Sequence, residues 1–257
     1  MAYDDAFGII GKWHVPSIGA VPLSSLGAGV CVHPAGIVLT ALHTIENFIA
    51  TYTIVSPQEA DELGRRGREI PAEDHEKPRF VFLNTLVSGG GVVRGTGLRE
   101  VQVFSIHHVE GGLKSDIAAV AIGPTKLYSP LPYLRPSPTQ PVVGENVFFL
   151  GHHQPRGTPK DAYGYSAGLT VNYSQGRVEA IIPDRLLVSG EGAKGMSGGP
   201  VVDVDSRLVG IISELWPAAL SEARIGINLP LIAAVPVALG LSSIARVAAH
   251  EGIAPLL

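Results

Sequence analysis

Gly195-Met196-Ser197-Gly198-Gly199-Pro200-Val201 sets a serine inside a glycine-rich turn that runs straight into an apolar stretch. A serine hydroxyl is a poor nucleophile at its own pKa and needs a base beside it. The glycines serve a second need, because main-chain N–H groups converge on a developing oxyanion only where side chains do not obstruct the chain. Gly195 and Ser197 are the natural donors of such a pair. Two upstream stretches carry the complementary residue types. Leu39-Thr40-Ala41-Leu42-His43-Thr44 places a histidine just past the end of a strand, and Lys114-Ser115-Asp116-Ile117-Ala118-Ala119-Val120 places an aspartate at the mouth of an apolar one. Histidine can take the serine proton near neutral pH and return it to a leaving amine, while a buried carboxylate holds the imidazole in the useful tautomer. Alone, a histidine at a strand end is usually a loop residue and an aspartate before a strand a turn residue. The order His43, Asp116, Ser197, each at a strand edge, is the stronger signal. An α/β-hydrolase esterase would carry the serine first.

Around these three points the chain reads as short strands cut by turns. Gly27–Val32 and Ile37–Thr40 form a hairpin about the turn His33–Gly36, and strand-like runs return at Arg79–Leu83, Val101–His107 and Ile117–Ile122. Prolines 124, 130, 132, 136, 138 and 141 cannot sit inside a sheet and mark a crossing between two halves. Beyond them lie runs at Asn146–Leu150, Gly168–Tyr173, Gly176–Ile182, Arg185–Ser189, Gly199–Val204, Leu208–Ser213 and Ile225–Leu229, then a helical spacing from Ser242 to His250. Residues 56–79 are dense in charge and read as a solvated surface insertion.

Composition narrows the class. Hydrophobic residues make up 46% of the 257 and charged ones 16%, with 31 glycines and 20 prolines in no strict period, as many turns between short strands require. A net charge of −4 gives a nucleic-acid partner no electrostatic support. No apolar run reaches the ~18 residues of a membrane span, so membrane insertion is not expected. Cys31, the single cysteine, excludes an intramolecular disulfide and reads as a buried, inert thiol. The acidic start Met1-Ala2-Tyr3-Asp4-Asp5 is unlike a signal peptide, which suggests the cytoplasm, or a bacterial envelope if a leader has been removed.

The three stretches resemble the active-site motifs of chymotrypsin-fold, trypsin-like serine peptidases, and most closely the disulfide-free bacterial trypsin and high-temperature-requirement type. Thr40-Ala41-Leu42-His43, Asp116-Ile117-Ala118 and Gly195-Met196-Ser197-Gly198-Gly199-Pro200 are similar to that group's histidine, aspartate and serine motifs; Gly27-Ala28-Gly29-Val30 and Gly144-Glu145-Asn146-Val147 are similar to its strand openings. The likeness runs from about Gly19 to Ile232, apart from residues 56–100, and the stretch after Ile232 leaves no room for a PDZ domain. It implies an all-β peptidase domain over 1–257: two six-stranded antiparallel barrels (about 7–123 and 142–232), a crossing at 124–141 and a C-terminal helix at about 240–250. It also implies a serine endopeptidase acting through an acyl-enzyme on polypeptide substrates, without cofactor or metal. The triad would be His43, Asp116 and Ser197, with the oxyanion hole at Gly195 and Ser197. Ser213 matches the serine that supports the aspartate, and Ser213, Glu214 and Leu215 would pair with an extended substrate. The alternative is a latent or inactive peptide-binding pseudoprotease with a regulatory part, for which an activating partner would be sought.

Departures from the family pattern matter as well. Met196 stands where secreted relatives have an aspartate that pairs with a newly cut N-terminus, so activation through that salt bridge is not expected. Glu191, six residues before Ser197, matches the floor of the primary pocket and would favour Arg or Lys before the scissile bond; pointing to solvent is the competing reading, and Lys194 either rims the pocket or neutralises Glu191. Under the first reading, Arg65-Arg66-Gly67-Arg68 would be a self-cleavage site. His107-His108 and His152-His153 do not read as a metal site, because neighbouring strand residues face opposite ways and no supporting pattern exists.

Overall fold

A computed structural model describes residues 6–13, 23–45, 79–84, 102–111, 115–123, 131–153, 170–190, 192–193 and 195–254. Six strands form the first half: β1 (Phe7–Trp13), β2 (Leu23–His33), β3 (Ile37–Thr40), β4 (Arg79–Asn84), β5 (Gln102–Gly111) and β6 (Ala118–Gly123). Six more form the second: β7 (Asn146–His153), β8 (Thr170–Ile182), β9 (Arg185–Ser189), β10 (Pro200–Val202), β11 (Leu208–Trp216) and β12 (Leu231–Pro236). The described second half also carries the helices α1 (Ala218–Ile225) and α2 (Leu241–His250), the latter led in by a 3-10 turn at Val237–Gly240.

The second half is a closed antiparallel ring in the order β10-β11-β12-β9-β8-β7, and each of its strands sends side chains into a shared interior. Val147, Phe149, Val178, Leu186, Val188, Val201, Ile212 and Ile232 meet there. Burying a side chain the size of Phe149 contributes about 1.5–3 kcal/mol.

The first half differs from the second, a correction to the plain expectation of two six-stranded barrels followed by a C-terminal helix. Its strands pair in the order β1-β2-β3-β6-β5-β4, and Val30, Val38, Leu39, Ile106, Val120 and Ile122 of β2, β3, β5 and β6 share one buried cluster with Val247 and Ala248 near the chain's C-terminal end. Strands β1 and β4 join through backbone pairing to β2, to β5 and to each other. The strand β1 carries Gly8 and Gly11 in place of an alternating apolar pattern, so period-two reading of the sequence passes over it.

Three further corrections concern single elements. The two runs expected at Gly168–Tyr173 and Gly176–Ile182 are one continuous strand, β8, which bulges between Val178 and Ala180. The strand expected at Ile225–Leu229 is absent: Ile225 ends α1, Gly226 caps it in the left-handed region, and β12 begins at Leu231. The helix expected from Ser242 is α2, but it does not merely trail the second half. Val247 and Ala248 of α2 are buried in the same cluster as Ile117, Val120 and Ile122, so the chain's last helix returns to seal the first half. The charged stretch at 56–79, including the suspected self-cleavage site, lies outside the described residues except at Arg79, which opens β4.

The proline-rich crossing ties both halves together. Leu131 and Leu134 N–H donate to Pro34 and Cys31 carbonyls on one side, while Ser137 N–H donates to Leu208 O and Leu208 N–H to Arg135 O on the other. Prolines cannot donate within a ladder, but the residues between them can. Cys31 is buried, and burial pushes its thiol up to about 12, as an inert core residue requires.

Candidate active site

His43 sits in a helical turn that opens at Leu42, directly after β3 ends at Thr40. Asp116 precedes β6, the strand that pairs with β3, and Thr40 lies opposite Ala118 in that pairing. Antiparallel register therefore carries the two residues to the same end of the sheet despite the long intervening chain. Asp116 Oδ1 accepts the His43 main-chain N–H at 2.9 Å, and Asp116 Oδ2 lies 2.7 Å from His43 Nδ1. With Nδ1 facing a carboxylate, the ring presents Nε2 on its far side.

The third contact to the carboxylate comes from the other half. Ser213 Oγ donates to Asp116 Oδ2 at 2.5 Å. Ser213 occupies a bulge in β11, where the register to β12 shifts between Ile212 and Glu214. A bulge re-aims the bulged residue relative to the pleat, and here the serine is buried against Asp116 while Glu214 and Leu215 are exposed. Burial by itself would raise the Asp116 pKa. The hydrogen bonds from the His43 ring, from Ser213 and from the His43 main chain, together with the charge of His43, outweigh it and hold the carboxyl below the usual range.

Ser197 lies in the turn before β10, and its own contacts fix it to both halves. Its carbonyl accepts the Ala28 N–H of β2 at 2.7 Å, and its Oγ donates to Ser213 O at 3.2 Å. Gly198 N–H donates to Ile212 O at 2.7 Å, and Thr40 Oγ1 donates to Ala28 O at 2.7 Å. The serine turn is thereby pinned between β11 and β2, and Thr40 of β3 braces the same Ala28. The apolar-looking Gly27-Ala28 opening supplies the main-chain donor, a contact that no side-chain pattern encodes.

Gly198 shows how tight the junction is. Its φ is +89°, and a Cβ there would stand 1.9 Å from Ala28 O. Gly198→Ala is therefore expected to cost roughly 2–5 kcal/mol, from left-handed strain plus overpacking. Chemical denaturation of wild type and variant measures it, and the active-site contacts should be lost with the stability. Gly195 has φ +100°, in the left-handed region that favours glycine, and Met196 N–H donates to Ala193 O at 3.2 Å.

The specificity candidates divide. Glu191 and Lys194 lie outside the described residues. Glu214 is drawn toward structural partners: Trp216 Nε1 donates to it at 3.1 Å, and Arg185 lies 3.5 Å away. Leu215 lies over Gly192, where a Cβ would stand 2.1 Å from Leu215 Cδ2. The histidine pairs play no part here. His108 stacks on His250 of α2 at 3.9 Å and contacts Glu110, while the His107, His152 and His153 side chains are outside the described set. Among the described residues no group of three or more His, Cys, Asp or Glu is placed to hold a metal ion.

Comparison with known proteins bears on this geometry. Residues 27–211 match the trypsin-like peptidase domain family. A search of the curated proteins gives no match. Among solved structures, the MamO protease domain from Magnetospirillum magneticum (apo form) is 16% identical, with a TM-score of 0.55 over 94% of this chain and 96% of that one. The HtrA-type protease AlgW with a decapeptide is 15% identical, with a TM-score of 0.57 over 97% of this chain and 66% of that one. Rv3671c from M. tuberculosis H37Rv, in an inactive form, is 14% identical, with a TM-score of 0.53 over 100% of this chain and 91% of that one. At such identities these structures speak for the fold. The cytoplasmic placement suggested by the acidic N-terminus finds no support in these likenesses and is withdrawn. Among the described residues no helix is long and apolar enough to cross a membrane.

Proposed function

Since the chain belongs to the trypsin-like peptidase domain family and has the His–Asp–Ser network of a serine endopeptidase, we propose that Ser197 is its nucleophile, His43 its base and Asp116 the group that orients the base. The observation that carries this reading is the Asp116 carboxylate, which accepts the His43 main chain, faces His43 Nδ1 and accepts Ser213 Oγ. Three contacts fix one tautomer and one ring orientation, as proton transfer from a serine hydroxyl requires.

The steps follow from the positions. A polypeptide carbonyl enters beside Ser197, and His43 Nε2 removes the hydroxyl proton as Oγ attacks. The Gly195 and Ser197 N–H groups receive the oxyanion. Collapse expels the amine, which takes the proton from His43, and leaves an acyl-enzyme. Water then repeats the sequence with His43 as base. Substrate is held as an added strand along Ser213–Leu215, where β11 leaves its exposed residues beyond the bulge.

The test is labelling of the folded protein with a fluorophosphonate, read by intact mass and located by peptide mapping. One adduct per chain on Ser197 is the expected result. A second reading has one observation behind it: Ser197 Oγ donates to Ser213 O at 3.2 Å, as a resting hydroxyl would. In that case the protein is latent until a partner activates it, and a well-folded wild type gives no adduct.

A further inference from the structure

Resting on that assignment of Ser197 and Gly195, we propose that Met196 is a positioning residue, whose thioether clamps the Ala193–Met196 turn and so sets the Gly195 N–H at the oxyanion hole. Met196 is 1% exposed and packs in the interior of the second barrel with Val147, Phe149 and Val201. Strand β7 is notched to receive it. A Cβ on Gly151 would stand 2.3 Å from Met196 Cγ and 2.7 Å from Met196 Cβ and Cε, so only glycine leaves the space that the side chain fills.

Two contacts run back from Met196 to the same residue. Its N–H donates to Ala193 O at 3.2 Å, and its Sδ accepts the Ala193 N–H at 3.0 Å. The main chain closes the turn and the side chain holds the turn's first residue from the other side. Gly195, at φ +100°, is the residue between them whose N–H must face the reacting carbonyl. A thioether is a weak acceptor, but it is seated in a buried cluster against Gly151. An unbranched, adaptable side chain suits an irregular notch of this kind. The lock needs no charged partner and no newly cut N-terminus, in keeping with the absence of an aspartate at position 196.

A residue that only fills the core and one that aims a donor differ in what they change. Met196→Leu keeps the volume and removes the sulfur. The expected result is a fall of about tenfold in the maximal inactivation rate by a fluorophosphonate and in kcat on a cleaved peptide, the scale of one hydrogen bond. The inactivator's half-saturation concentration, KM and Tm should stay at wild-type values. If Met196→Leu does not fold, norleucine supplies the cleaner variant. The chain has only two methionines, Met1 and Met196, so biosynthetic replacement exchanges the buried Met196 sulfur for a methylene. Gly151→Ala should give the same rate loss together with a lower Tm, because Met196 must leave its notch. A labelled wild type with an unchanged inactivation rate in the leucine or norleucine protein overturns the clamp alone, as does a change in which KM and Tm move along with the rate. A folded wild type that takes no label at Ser197 overturns the assignment beneath it, and the clamp with it.

Discussion

Ser197→Ala is expected to lower kcat for peptide hydrolysis by about 10⁶, the loss seen when a serine nucleophile is removed from such a unit. The large figure follows from what remains. His43 and Asp116 keep their 2.7 Å contact, but the base has no hydroxyl to activate. The main-chain donors survive, so a residual rate of roughly 10³ over the uncatalysed reaction should persist. Fold should hardly change, because the contacts that pin the turn are main-chain ones: Ala28 N–H to Ser197 O and Gly198 N–H to Ile212 O. The Oγ bond to Ser213 O is deleted, but it does not hold the main chain. Single-turnover kinetics on a peptide substrate, with thermal unfolding of the same preparations, checks both halves of the expectation. A variant that keeps more than a few per cent of wild-type activity would place the nucleophile elsewhere.

Asp116→Asn should lower kcat by about 10⁴ while leaving the substrate affinity near wild type, since an amide facing Nδ1 selects the wrong tautomer and cannot stabilise the imidazolium. The variant also carries a stability signature. In the wild type, the Asp116 carboxyl is held below its ordinary 3.8. A carboxyl depressed on folding stabilises the native state at pH values above its unfolded pKa, and that contribution fades as pH falls through the folded value. The wild type should therefore lose an increment of stability on acidification below about pH 4, and Asp116→Asn should lack that increment. Chemical denaturation across pH 2–7 on both proteins reads the difference directly. Ser213 Oγ shares the same carboxylate oxygen, so its hydroxyl must find a new acceptor in the variant, a further reason for the loss to exceed that of a single contact.

Much of the site was legible because its chemistry is written in local neighbours. A serine between glycines, a histidine just after β3 and an aspartate just before β6 are each a strand end plus a reactive side chain, and period-two apolar runs locate strand ends. The strand-rich character of the chain was legible for the same reason, from the apolar runs of β2, β3, β6 and β9. The strand β1, the unbroken β8 and the helix α1 were not. Glycines in β1 dilute its pattern, the polar Asn172–Gln175 stretch of β8 resembles a turn, and α1 spans only eight residues with no side-chain cap at its start. The placement of α2 over the first half was also hidden, since an amphipathic helix shows that it has an apolar face but not what covers it.

From the sequence alone came the identity and order of His43, Asp116 and Ser197, the strand-rich class, the lack of a disulfide and the unusual methionine at position 196. Tertiary structure alone decided how those residues meet. The register of β3 on β6 brings Asp116 beneath His43, the bulge in β11 turns Ser213 onto the carboxylate, and Ala28 of the first half holds Ser197 of the second. Main-chain register, bulges and close glycine contacts depend on backbone atoms that every residue shares, so side-chain identity specifies them only after the two halves have packed.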